Sequence, residues 1–237
     1  MSIKENVARA KTDFDEVYEA GKKAEYDKFW DAFQHNGSRT LYENAFCDWI
    51  GECFEPKYDL IFSEGAYSTS SAFRRASNFD LKAKTIDRGI AFDTSLCSKM
   101  NSTFYQSAIG AIPPLDLRNC IDLTSTFNNM QYVNSKYVTR EIVLHNLRED
   151  CAFNKAFDWS QYIESIVING TIGQNGFNVQ RSTKLSHESL VSIINALKDY
   201  SGDTSGTEWV CTLGADNIAK LTNEEQQIAY DKGWNLG

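Results

Sequence analysis

The chain has 237 residues, of which 42% are hydrophobic, 13% aromatic and 24% charged, a composition that supports a packed core and argues against long disorder. Its formal net charge of -8, with no basic stripe, argues against nucleic acid as a partner, because affinity for phosphate backbones rests on clustered Lys and Arg. No stretch is long and apolar enough to span a bilayer, so membrane insertion is not expected.

From the N-terminus, Met1-Ser2-Ile3-Lys4-Glu5-Asn6 has no apolar run behind it. That excludes a standard signal peptide, and the expectation is a protein that stays in the cytoplasm unless a larger assembly carries it out. Residues 1 to about 34 are helical in pattern. Ile3, Val7, Ala10, Phe14 and Val17 alternate steps of four and three, continued more weakly by Gly21 and Ala24. This is a heptad seam, a candidate oligomerisation stalk for a homodimer or trimer. The competing reading is an amphipathic helix whose aromatic end, Tyr26, Phe29, Trp30 and Phe33, packs on the first rung of a solenoid. His35-Asn36-Gly37-Ser38 marks a break, and a second helix is expected over Leu41 to Glu52, ended by Pro56. Residues 1–57 are thus read as an N-terminal helical segment.

Residues 58–180 carry internal repetition, the signal to seek first. Phe92-Asp93-Thr94-Ser95-Leu96-Cys97 runs through to Ser102-Thr103-Phe104, and Leu115-Asp116-Leu117-Arg118-Asn119-Cys120 runs through to Ser125-Thr126-Phe127, without a gap. A second pair leads from Ile142-Val143-Leu144 to Phe153 and from Ile166-Val167-Ile168 to Phe177. A fainter copy runs from Ile61 to Phe73. The heads lie roughly 23 to 31 residues apart, and Ile112-x-x-Leu115-x-Leu117-x-x-Cys120 spells the leucine-rich pattern. Strand alternation turns Leu115 and Leu117 to one face. The expected repeat core is therefore Phe73, Phe92, Cys97, Phe104, Leu115, Leu117, Cys120, Phe127, Ile142, Leu144, Phe153, Ile166, Ile168 and Phe177. The fold expected from this pattern is an α/β leucine-rich-repeat solenoid, right-handed, in which stacking buries what a single unit cannot.

Residues 181–237 read as a C-terminal cap of helix and strand. Ser186 can cap a helix through Leu190, Ile193, Ile194 and Leu197. Trp209 to Leu213 reads as a strand. Thr222 with Glu225 forms a capping box for a final helix that Gly233 can end, and Trp234-Asn235-Leu236 closes the chain.

Chemistry-bearing residues are sparse. Six cysteines (Cys47, Cys53, Cys97, Cys120, Cys151, Cys211) include no CxxC pair, so zinc and disulfide frameworks are not expected, and the thiols read as reduced and buried. His35, His145 and His187 form no metal-ligand spacing, and Gly170 and Gly173 lack the Lys-Ser/Thr of a phosphate loop. A Cys151–His145 nucleophile pair is the one catalytic candidate. The simpler reading is a buried turn thiol. No catalytic residue, metal or cofactor is expected, and the chain reads as non-enzymatic.

Phe92-Asp93-Thr94-Ser95 followed by Met100 and Phe104 resembles the repeat of BspA-like leucine-rich proteins and related mycoplasma-type surface repeats. The repeats here are uneven, and the two central ones match best. Leu190-Val191-Ser192-Ile193-Ile194-Asn195-Ala196-Leu197 and Thr212-Leu213-Gly214-Ala215 look like the capping unit that often accompanies such repeats. Tyr18-Glu19-Ala20-Gly21-Lys22-Lys23-Ala24-Glu25-Tyr26 and Phe29-Trp30 look like a leader on similar proteins of phages and prophages of gut Firmicutes. The resemblance implies a solenoid in a virion, as a tail or fibre component that adheres to a protein or a cell-surface glycan of the host. The alternative is an intracellular leucine-rich-repeat interaction scaffold. The resemblance transfers no binding residues, since its motif positions are core.

Overall fold

The computed structural model describes residues 70–130 and 137–237 throughout, and before them Ala24, the pair at 40–41, and residues 54, 56 and 59–62. The seam residues Ile3, Val7, Ala10, Phe14 and Val17 lie outside the described residues. So do the positions between Tyr42 and Cys53. Leu41, expected to open a helix, instead sits in a strand.

Three separate parallel sheets form. The first joins β1 (Thr40–Leu41), β2 (Leu60–Phe62) and β3 (Phe92–Asp93), in register Thr40 to Ile61 and Leu60 to Phe92. The second joins β4 (Leu115–Asp116), β5 (Glu141–Leu147) and β6 (Ser165–Gly170), with Leu115 opposite Leu144 and Ile142 opposite Ile166. The third joins β7 (Trp209–Cys211) and β8 (Trp234–Leu236). Helices are few: α1 (Leu81–Lys84), α2 (His187–Ala196), α3 (Ala215–Ile218) and α4 (Asn223–Asp231), with a 3-10 turn at Ile86–Arg88.

This corrects the expected right-handed α/β leucine-rich-repeat solenoid. The small parallel sheets are separate, and few helices accompany them. One cause of the break between the first and second sheets is Thr94. Its hydroxyl donates to Asp116 O (3.0 Å) and accepts from Asp116 N (2.8 Å), taking both main-chain groups that a strand would have paired. Leucine at the matching position 117 could not do this.

Turns, rather than helices, carry the side away from the strands. Ser71, Ser102, Ser125 and Lys155 have φ between 54° and 62°, as do Arg75, Gln106, Asn129 and Trp159, each set four residues beyond the first. Between each pair sits a small buried residue (Ala72, Thr103, Thr126, Ala156) and then a buried phenylalanine: Phe73, Phe104, Phe127 and Phe157. Adjacent turns share backbone hydrogen bonds, such as Phe73 N to Thr103 O, Phe104 N to Thr126 O and Phe127 N to Ala156 O (2.8–2.9 Å). The rings therefore stack face to face. Centroids are 5.5, 5.8 and 5.2 Å apart along Phe73–Phe104–Phe127–Phe157, with planes within 15° of parallel. Each such pair adds about 0.5–1.5 kcal/mol beyond its burial.

Phe153 consequently does not take its expected place in the stack, which falls four residues later, at Phe157. Leu123 N bonds Ala152 O and Phe127 N bonds Ala156 O, so Phe153 is the partner of Leu123, and Phe157 is the ring in the stack. Of the fourteen expected core residues, thirteen are buried and Ile168 is partly buried against them. Phe54, within the segment read as an N-terminal unit, stacks on Phe79 at 4.4 Å and belongs to the same core.

At the C-terminal end, Ser186 Oγ accepts from Ser189 N (3.2 Å) and starts α2. Thr222 and Glu225 form a reciprocal capping box on α4. Gly233, at φ 82°, lets the chain leave that helix into β8. Lys232 Nζ reaches back to Ile194 O and Asn195 O (3.2 and 2.9 Å), placing a cation on the last carbonyls of α2. Among the described residues, no helix is long and apolar enough to cross a membrane.

Candidate binding surface

The last turn of the phenylalanine stack differs from the others in the side chain it displays. Its second left-handed position holds Trp159 at φ 60°, where the sister turns hold Arg75, Gln106 and Asn129. That backbone region disfavours bulky residues, and the neighbouring turn fixes it here: Asn129 N donates to Asp158 O at 2.7 Å, and Ser160 N to Phe157 O at 3.2 Å. The core side of the turn belongs to Phe157. Trp159 is left pointing outward and is 51% exposed, the most exposed large hydrophobic side chain among the described residues.

A second segment lies alongside. The Ser182 hydroxyl donates to Ser160 O (3.0 Å), and the buried Ser160 hydroxyl donates to Phe127 O. This seam sets residues 181–184 against residues 159–162. The Arg181 guanidinium then lies 4.6 Å from the Trp159 ring centroid, and the Lys184 ammonium 4.6 Å from that of Tyr162. Two cation–aromatic pairs thus stand side by side over a buried serine–serine hydrogen bond. Arrangements of this kind contribute about 0.5–1 kcal/mol each when exposed.

The cations here differ from several others in their partners. Arg118, Arg140 and Arg148 hold Asp116, Glu164 and Asp150 in ion pairs, and Lys198 holds Glu149. Among the described residues, neither Arg181 nor Lys184 is in an ion pair. Lys155 is exposed in the same turn as Trp159, and Asp158 is the turn's one carboxylate. Three cations thus stand against one carboxylate at this place.

The catalytic candidate is not assembled. Cys151 is buried, its Sγ facing Ala152 O at 3.9 Å, and the neighbouring thiol of Cys120, together with burial, pushes it up, away from the thiolate form. His145 is exposed on β5, in register with Asp116. No hydrogen bond joins His145 to Cys151 among the described residues. Cys97, Cys120 and Cys151 each close a turn, through N–H bonds to Thr94, Leu117 and Arg148 carbonyls at 3.0–3.2 Å. Burial pushes the Cys211 thiol up to about 12. No group of three or more His, Cys, Asp or Glu among the described residues could hold a metal ion.

The repeat pattern gave no warning of Trp159, Tyr162, Arg181 or Lys184. The one signal in the sequence was a lone tryptophan in a polar turn, Asn154-Lys155-Ala156-Phe157-Asp158-Trp159, together with Arg181 and Lys184 in the polar stretch after Val179. No family model, curated protein or solved structure matches the chain.

Proposed function

We propose that the chain is a non-enzymatic binding and structural component of a phage or prophage tail, in contact with a bacterial surface or a neighbouring particle protein. The observation that carries the binding part is the exposed Trp159–Arg181 and Tyr162–Lys184 surface. Exposed Trp, Tyr and Arg are the residues from which contact hot spots are most often built. Support against a nucleophilic enzyme comes from Cys151, whose thiol is both buried and pushed away from ionisation.

The tail assignment is supported by the resemblance of Tyr18–Tyr26 to a phage-protein leader and of Phe92–Phe104 to BspA-like repeats. In this reading Ile3, Val7, Ala10, Phe14 and Val17 form a seam that joins copies of the chain. The test is binding of the purified full chain to cells of its host and to the other proteins of the particle. Retention on either supports the reading, and retention on neither overturns it.

A further inference from the structure

We propose that the Trp159–Tyr162 surface takes an extended acidic segment of a partner protein, its carboxylates held by Arg181 and Lys184. The inference rests on the binding reading above and names the partner's chemistry.

Both cations still have donors to offer. A guanidinium lying over an aromatic face keeps its N–H donors in its own plane, directed outward. In that plane it can grip a carboxylate with two parallel hydrogen bonds. The Arg181 guanidinium lies 4.6 Å from the Trp159 ring centroid and holds no carboxylate among the described residues. Lys184 stands three residues further along the same segment, over Tyr162. Two anion-holding groups are therefore displayed in sequence along one stretch of chain, which suits a ligand with carboxylates repeated along an extended backbone.

The same geometry disfavours a neutral sugar. Sugar rings dock by laying their C–H faces on open aromatic faces, and here a cation already covers a face of each ring. The surface instead presents the Arg181 and Lys184 N–H donors. Positioning is also built in: Ser182 to Ser160 and Ser160 to Phe127 tie the two segments to the phenylalanine stack, so little side-chain freedom is lost on binding.

The test uses the full chain and a fluorescein-labelled ten-residue peptide of alternating Glu and Ser, with binding read by fluorescence anisotropy at low salt. A Gln-Ser peptide and a galacturonate oligomer of equal charge are run beside it. Expected are saturable binding of the Glu-Ser peptide, no binding of the Gln-Ser peptide, and about a tenfold weakening for Arg181→Gln and for Lys184→Gln. Trp159→Asn should weaken binding similarly while keeping the folded far-UV circular dichroism spectrum, since asparagine occupies the sister position 129 with the same backbone. Lys82→Gln, on α1, serves as the remote charge control and should change nothing. The proposal is overturned by no binding of the Glu-Ser peptide, by equal loss in the Lys82 variant, or by tighter binding of the galacturonate oligomer through the same residues. Each of these outcomes is independent of whether the chain is found in phage particles.

Discussion

The hydroxyl of Ser189 accepts a hydrogen bond from Ile166 N at 2.7 Å and donates one to Ile166 O at 3.1 Å. One side chain of α2 thus satisfies both main-chain groups of a residue at the edge of β6, and Ser192 repeats half of the device by accepting from Ile168 N at 3.1 Å. An open strand edge is a template for unwanted pairing. Here a helix covers it, and serines at steps of three supply the hydrogen bonds a further strand would have made. Thr94 does the same to Asp116 between the first two sheets. Removing either hydroxyl strands two polar groups, at a cost of about 1–3 kcal/mol. Ser189→Ala and Thr94→Val should each lower stability by that amount in urea titration, and Ser192→Ala, at a half-buried site with one bond, by less. An unchanged midpoint in the first two would contradict this assignment.

The phenylalanine stack gives a sharper test of register. Phe127→Ala should cost about 3–5 kcal/mol. Phe153 and Phe157 separate the two possible alignments. Phe153→Leu installs the residue found at the equivalent position 123 and gives up one edge contact, with Phe177. Phe157→Leu gives up two ring contacts, with Phe127 and with Phe177, and should cost more. The reverse order, measured by denaturant unfolding, would restore Phe153 to the stack.

Much of the local structure was readable because its causes are local. The Thr222–Glu225 box, the Ser186 cap and the Gly233 exit each depend on residues within a few positions of each other. The apolar positions were readable because buried residues must be apolar wherever the chain places them. Sheet continuity was not, since it depends in part on Thr94, whose hydroxyl stands where the sister unit has Leu117. The stack was misaligned at Phe153 because the strand before it is irregular between Leu144 and Leu147, around Asn146 in the left-handed region. Periodicity cannot register such a shift. The binding surface needed two segments about twenty residues apart to be brought together, which no spacing rule foretold.

Asp116 gives the chain an acid-sensitive contribution. The Arg118 guanidinium beside it, helped by Asn146, holds its carboxyl at about 2, below the ordinary 3.8. A carboxyl depressed in the folded state stabilises the fold fully above its unfolded value and loses that contribution as pH falls through the folded one. Because the pair is partly exposed, the contribution at neutral pH is about 1 kcal/mol. Asp116→Asn should therefore be less stable than wild type at pH 7, with the gap closing between about pH 4 and pH 2. A gap constant across that range would show that the carboxylate charge contributes nothing.

The buried thiols should be inert in the folded protein. Burial pushes Cys211 up to about 12, and Cys151 is pushed up by its Cys120 neighbour and by burial. At pH 8, mass-mapped alkylation should leave both sites unmodified until denaturant is added. Rapid native-state modification of Cys151 would reopen the Cys151–His145 nucleophile reading.

The central claim, a binding component of a phage tail, is tested most directly by the protein content of particles. Tailed particles would be purified on a density gradient from the strain that encodes the chain, and the chain quantified in them by mass spectrometry. The expected result is co-purification at a fixed, small-integer multiple of a known tail protein. Absence from intact particles, with the chain recovered in the soluble cell fraction, would contradict the claim.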